Sequence, residues 1–114
     1  MASETTIAMT KKLFENLQSD LKALSAEARK KHPPVKEASE ACMLKLRMIL
    51  SKPTDLFSEL LSSSSEIVQP FIMGCDSKNP KMVHISLTSM QRMIQHQAIS
   101  ALLFFDVLKV YVFN

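Results

Sequence analysis

One glycine, Gly74, serves a chain of 114 residues. That scarcity constrains the fold more than any other feature. A phosphate-cradling loop of the Walker or Rossmann kind needs two or more glycines at close spacing. All-β sandwiches and barrels spend glycine on turns and bulges. The first cannot be built here, and the second is disfavoured. The composition points to a helical chain, with its breaks made by proline and polar caps. Length sets one domain as the default, with a modest core.

The apolar pattern agrees. Leu13, Leu17, Leu21, Leu24 and Ala28 recur every three or four residues, which predicts a helix from about Thr10 to Lys31. Lys30, Lys31 and His32 are then expected in its last turn, where the helix dipole favours positive charge. Pro33-Pro34 stops this helix and opens the next, which carries Val35, Ala38, Cys42, Leu46 and Ile49 and ends at Pro53. Thr54 or Asp55 is the expected cap of a short third helix with Leu56, Phe57, Leu60 and Leu61. Ser65 reads as the cap of a fourth, to about Cys75, which Pro70 either kinks, the favoured reading, or breaks in two. Gly74 falls near its end, where a residue of positive φ is wanted. Asn79-Pro80 is a cap followed by a first helical residue. Val83, Leu87, Met90 and Ile94 make the helix that follows, to about His96. Ala98–Asn114 is apolar nearly all round and suits either a buried last helix or, from Val107, a strand. Five or six antiparallel helices result. On periodicity alone they suit an α-solenoid of divergent repeats or a compact bundle.

Chemistry is sparse. His32, His84 and His96 show no i, i+4 pairing, so no helical zinc site is expected. Cys42 lies on an apolar stripe and reads as a small core residue. Cys75, beside Gly74 and Asp76, is expected to be more exposed. Glu37 and Glu40 read as surface ion-pairing residues beside Lys36, Lys45 and Arg47. There is no nucleophile–base–acid set. The reading is a non-enzyme without catalytic, cofactor-binding or metal residues.

Lys and Arg number 14 against 11 Asp and Glu, a net charge of +3. The basic excess belongs to residues 1–52, which hold ten Lys/Arg and six Asp/Glu. Arg29, Lys30, Lys31 and Lys36 form the candidate contact for an anionic lipid or acidic protein surface. The ordinary alternative is a solvated lysine-rich helix face. No aromatic residue interleaves this cluster, which argues against nucleic acid. Met43 and Met48 lie off the stripe of their helix and are candidates for a second packed surface. Residues 1–10 are polar and expected to be disordered, with no apolar stretch of the secretory kind. Two cysteines make no disulfide framework, and a reduced cytosolic compartment fits them.

A family comes into view in the strings themselves. Lys12–Ser25 resembles the opening helix of the Mon-two proteins, relatives of the large guanine-nucleotide exchange factors for Arf GTPases. His32–Ala38 resembles the next helix start. Ser65–Cys75, continuing through Ser77–Val83 and Met90–Ile94, is the most specific part. Its motif positions are Pro70, Phe71, Gly74, Cys75 and Pro80. The resemblance covers about Lys11 to Ser100. It implies the N-terminal dimerisation and cyclophilin-binding domain over 11–100, an all-α fold of antiparallel helices stacked as an Armadillo/HEAT-like α-solenoid. It further implies a non-catalytic scaffold of Golgi and endosome traffic, cytoplasmic and peripheral on those membranes. Self-association, Dopey-type scaffolds, Arf-like GTPases and phospholipid flippases are the associations it suggests. Direct binding to anionic membrane is the alternative reading. Residues 101–114 do not resemble the family's continuation. They are expected to be a divergent tail that caps the open end of the solenoid or is prone to aggregate.

Overall fold

In the computed structural model, residues 4–52 and 55–113 are described. Pro53 and Thr54, expected as a helix stop and a cap, lie outside them. The described residues form six helices and no strand: α1 (Glu4–Ala28), α2 (Pro33–Ser51), α3 (Leu56–Ser62), α4 (Ser64–Asp76), α5 (Pro80–Gln95) and α6 (Ala101–Phe113). The described residues are all-α, the class to which the single glycine and the stripes point.

Helix α1 starts at Glu4, not near Thr10, so the expected disorder of residues 1–10 does not hold for 4–10. Thr10 is already buried on its inner face. Its hydroxyl donates to the carbonyl oxygen of Thr6 at 2.8 Å, which keeps a polar side chain satisfied there. The helix ends at Ala28, so Lys30 and Lys31 follow it in the turn instead of occupying its last turn.

Caps set the remaining boundaries. The Asp55 carboxylate accepts from the backbone N–H groups of Phe57 and Ser58, at 3.1 and 3.4 Å. The Asn79 side chain accepts from those of Lys81 and Met82, at 3.0 and 3.1 Å, with Pro80 at the first helical position. Both satisfy N–H groups that a helix start otherwise leaves unpaired. At α4 the cap is Ser63, shared with the end of α3, and not Ser65. The helix runs unbroken through Pro70.

Gly74 overturns the expectation attached to it. It lies inside α4, and no glycine has positive φ. That role falls to Lys78, with φ of 61°, in the turn before α5, and to Gln97, with φ of 55°, after it. Gly74 is needed for space. A Cβ built there would overlap the Ser86 hydroxyl of α5 and stand 3.2 Å from Leu24 Cδ1 of α1. The glycine leaves the space in which the Ser86 side chain of α5 seats against α4.

The hairpins α1–α2 and α4–α5 stack, and their neighbours run antiparallel around a closed circuit. Gln18 donates to the Met43 carbonyl at 3.2 Å and Ser25 to Glu40 at 3.3 Å, joining α1 to α2. Cys42 meets the Ile67 carbonyl, joining α2 to α4. Asp20 binds Ser89 and Arg92, and Glu27 lies 3.5 Å from Lys81, joining α1 to α5. Inside the circuit Leu13, Phe14, Leu17, Leu21, Leu24, Leu46, Ile49, Ile67, Phe71, Met82, Met90 and Met93 are buried. Helix α3 adds Leu60 to this core, and α6 lies against α4.

Candidate functional site

Nucleophiles come first, because they are the residues an enzyme would use. Both cysteines are free and buried. The Cys42 thiol donates to the Ile67 carbonyl at 3.7 Å, and burial, with Glu66 adding to it, pushes its pKa up to about 12. Cys75 is fully buried, against the expected exposure, and burial pushes its thiol up to about 11. The reason is local: α4 continues to Asp76, so Cys75 faces inward with Phe71, one helical turn earlier. A thiol held protonated in this way is a packing group.

The remaining titratable groups are dispersed. His84 is exposed on α5, while His32 and His96 flank helix ends. Among the described residues no three His, Cys, Asp or Glu side chains are grouped for a metal. Glu40 bonds Lys36 at 2.7 Å, which holds its carboxyl below the usual value, while Glu37 is exposed. The best connected polar cluster is one that sequence reasoning missed. Asp20 of α1, 19% exposed, pairs with Arg92 and accepts from the Ser89 hydroxyl at 2.6 Å. Its partners stand some seventy residues away in sequence, and only the stacking of the hairpins brings them together. The cluster ties α1 to α5.

The predicted basic cluster is divided. Arg29, Lys30 and Lys31 are exposed in the α1–α2 turn, whereas Lys36 is half-buried and engaged by Glu40. The family-motif positions are structural. Pro70, Phe71, Gly74 and Cys75 are all buried in α4, and Pro80 opens α5. Met43 packs against the core and Met48, 59% exposed, does not. With Leu44, 57% exposed, Met48 forms a small apolar spot on the outer face of α2.

The surface that stands out is α6. It was expected to be a buried last helix or a strand. It is a helix that buries Val107 alone among its residues. Tyr111 anchors it by donating to the Leu87 carbonyl at 2.5 Å. Leu102, Phe105, Val112 and Phe113 face outward. Beside its first turn a cleft of about 390 Å³ is lined by Ile94, Gln97, Ile99, Ala101, Phe104 and Phe105. No helix among the described residues is long and apolar enough to cross a membrane.

A helical module with its chemistry spent on packing and an apolar face turned outward is what a binding domain presents. The family model that matches, over residues 8–111, is the Mon2/Sec7/BIG1-like dimerisation and cyclophilin-binding domain. The chain belongs to this family. The matched span includes most of α6, past the boundary expected at Ser100. The human Protein MON2 homolog is 45% identical over 100 residues, which are 88% of this chain and 6% of that protein. The Xenopus laevis homolog is 46% identical over 90 residues, 79% of this chain and 5% of that protein. Monensin-resistant homolog 2 of Caenorhabditis elegans is 36% identical over 94 residues, 80% of this chain and 6% of that protein. The chain thus spans about one-twentieth of these Mon2 relatives. No solved structure matches.

Proposed function

We propose that this chain is a non-catalytic self-association and protein-interaction module of a membrane-trafficking scaffold related to the large Arf exchange factors. The single observation that carries the reading is the match of the dimerisation and cyclophilin-binding domain model to 8–111, nearly the whole chain. The structure is compatible with it. Its buried thiols and its cross-helix ion pair serve packing, and its apolar surplus lies on a surface helix. The scaffold acts on the cytoplasmic face of Golgi and endosome membranes, with Dopey-type scaffolds and Arf-like GTPases as further partners by family resemblance.

The test is direct binding. Sedimentation of the purified chain reads self-association, and pull-down with a Dopey-type protein and an Arf-like GTPase reads the others. A folded chain that stays monomeric and binds neither partner contradicts the proposal.

A second reading rests on Arg29, Lys30 and Lys31, three exposed cations in one turn. They suit anionic lipid headgroups, each contributing about 1 kcal/mol near a charged surface. Co-sedimentation with phosphatidylserine vesicles that falls with Lys30→Glu plus Lys31→Glu supports it. Binding indifferent to both lipid charge and these changes contradicts it.

A further inference from the structure

We infer that the outward face of α6 is the self-association surface, and that two copies join by packing their α6 helices antiparallel about a two-fold axis on that face, level with position 107. The inference rests on the self-association reading above and adds to it the face, the orientation and the register.

Size is the first argument. Leu102 is 91% exposed, Phe105 68%, Val112 76% and Phe113 78%, with Phe104 and Leu108 at 36% and 38%. With side chains of this size offering about 150–250 Å² each, the face carries roughly 800 Å² of apolar surface. A standard specific interface buries about 800 Å² per partner. The apolar spot on α2 offers only Leu44 and Met48, among Lys45, Arg47 and Glu40.

Self-complementarity is the second. A two-fold interface sets one patch against itself, so residue i must suit residue j in both directions. Leu102, Phe105, Lys109 and Val112 lie on one stripe at spacings of 3, 4 and 3, which read alike from either end. An antiparallel pair centred level with position 107 sets Leu102 against Val112 of the second copy. It sets Phe105 against Lys109, whose aliphatic stem covers an aromatic ring while its ammonium sits over the face. The two charges of the helix, Asp106 and Lys109, are 3.8 Å apart within one copy. They stay paired within each copy, so no charge is buried alone. Phe113 of the second copy arrives beside Leu102, at the mouth of the 390 Å³ cleft lined by Ile94, Ile99 and Phe105. An aromatic anchor entering a pocket is the arrangement that dominates interface energies.

Presentation is the third. Val107 in the core and the Tyr111–Leu87 hydrogen bond hold α6 against the body, so its outer stripe is displayed without prior ordering.

The experiment is sedimentation equilibrium of the 114-residue chain at about 10–100 μM, above the weak, micromolar end of the affinities of standard-size interfaces, with circular dichroism to confirm helicity. The expected mass is twice 12.8 kDa. Phe105→Glu is expected to weaken the dimer at least 100-fold while helicity is kept, and Leu44→Lys plus Met48→Lys to leave it intact. For the register, Leu102→Cys mixed with Val112→Cys should form a mixed disulfide under mild oxidation, and neither variant alone should cross-link appreciably. A dimer that survives Phe105→Glu but is lost on changing Leu44 and Met48 overturns the inference and leaves the self-association reading standing. Cross-linking of Leu102→Cys with itself overturns the antiparallel register. A folded wild-type monomer at 100 μM, with α6 binding neutral vesicles or nothing, overturns both.

Discussion

Helices α4 and α6 are each thirteen residues long and both are largely apolar, yet they have opposite fates. Helix α4 buries Ile67, Val68, Pro70, Phe71, Gly74 and Cys75 between α2 and α5. Helix α6 buries Val107 and leaves two phenylalanines, a leucine and a valine mostly outside. Composition does not separate them; neighbours do. Each side of α4 meets a helix whose face is complementary, down to a glycine where α5 needs room. Helix α6 meets α4 and α5 on its inner side alone among the described residues. An apolar helix becomes core only when the surrounding helices enclose it.

Phenylalanines give the sharpest way to break this comparison. Phe71→Ala should cost about 3–5 kcal/mol of folding stability, the usual range for emptying a buried aromatic site, read by urea unfolding. A cost below about 1 kcal/mol would deny that α4 is enclosed. Gly74→Leu should cost about 3 kcal/mol through overpacking against Ser86 and Leu24. Gly74→Ala should be rescued by Ser86→Ala, since the Ser86 hydroxyl is buried without a hydrogen-bond partner and contributes little. A double variant no more stable than Gly74→Ala alone would place the close approach elsewhere.

Asp20→Ala should cost about 2 kcal/mol, because it leaves Ser89 and Arg92 without their acceptor in a partly buried seam. Asp20→Asn should recover part of that in the same unfolding assay. The thiols give an alkaline signature. Below the ordinary cysteine value of 9.0 the folded and unfolded chains are both protonated, and stability is unaffected. From pH 9.0 to about 12 for Cys42, and to about 11 for Cys75, the unfolded chain loses a proton that the folded chain keeps. Stability therefore falls as pH rises, by at most about 1.4 kcal/mol per pH unit and thiol. Cys42→Ala should flatten that slope, and an unchanged slope would contradict the burial of the thiol. The smallest effect belongs to the rim. Phe105→Ala, measured below the dimer concentration, should change stability by no more than about 0.5 kcal/mol.

Much of this fold was legible in the residues. The stripe from Leu13 to Ala28 is buried as its spacing requires, and the Asn79-Pro80 signal caps α5 as local chemistry dictates. These features depend on neighbours within one or two helical turns. What escaped depends on distances between helices. Gly74, near a helix end, suggests a left-handed cap, but nothing local reveals that Ser86 lies against it or that Lys78 makes the turn. Asp20 and Arg92 look like unrelated surface charges until the hairpins stack. The apolarity of α6 was plain, and its outward orientation was not, because burial is a property of the assembly around a segment.

Hydrogen exchange followed by mass spectrometry at two protein concentrations, about 1 and 100 μM, bracketing the weak, micromolar end of the affinities of such interfaces, tests the contrast between core and rim most directly. The account predicts slow exchange in α4 at both concentrations, and exchange in α6 that slows markedly at the higher one as the second copy covers it. Exchange in α6 independent of concentration, or a change of equal size in α4, would contradict it.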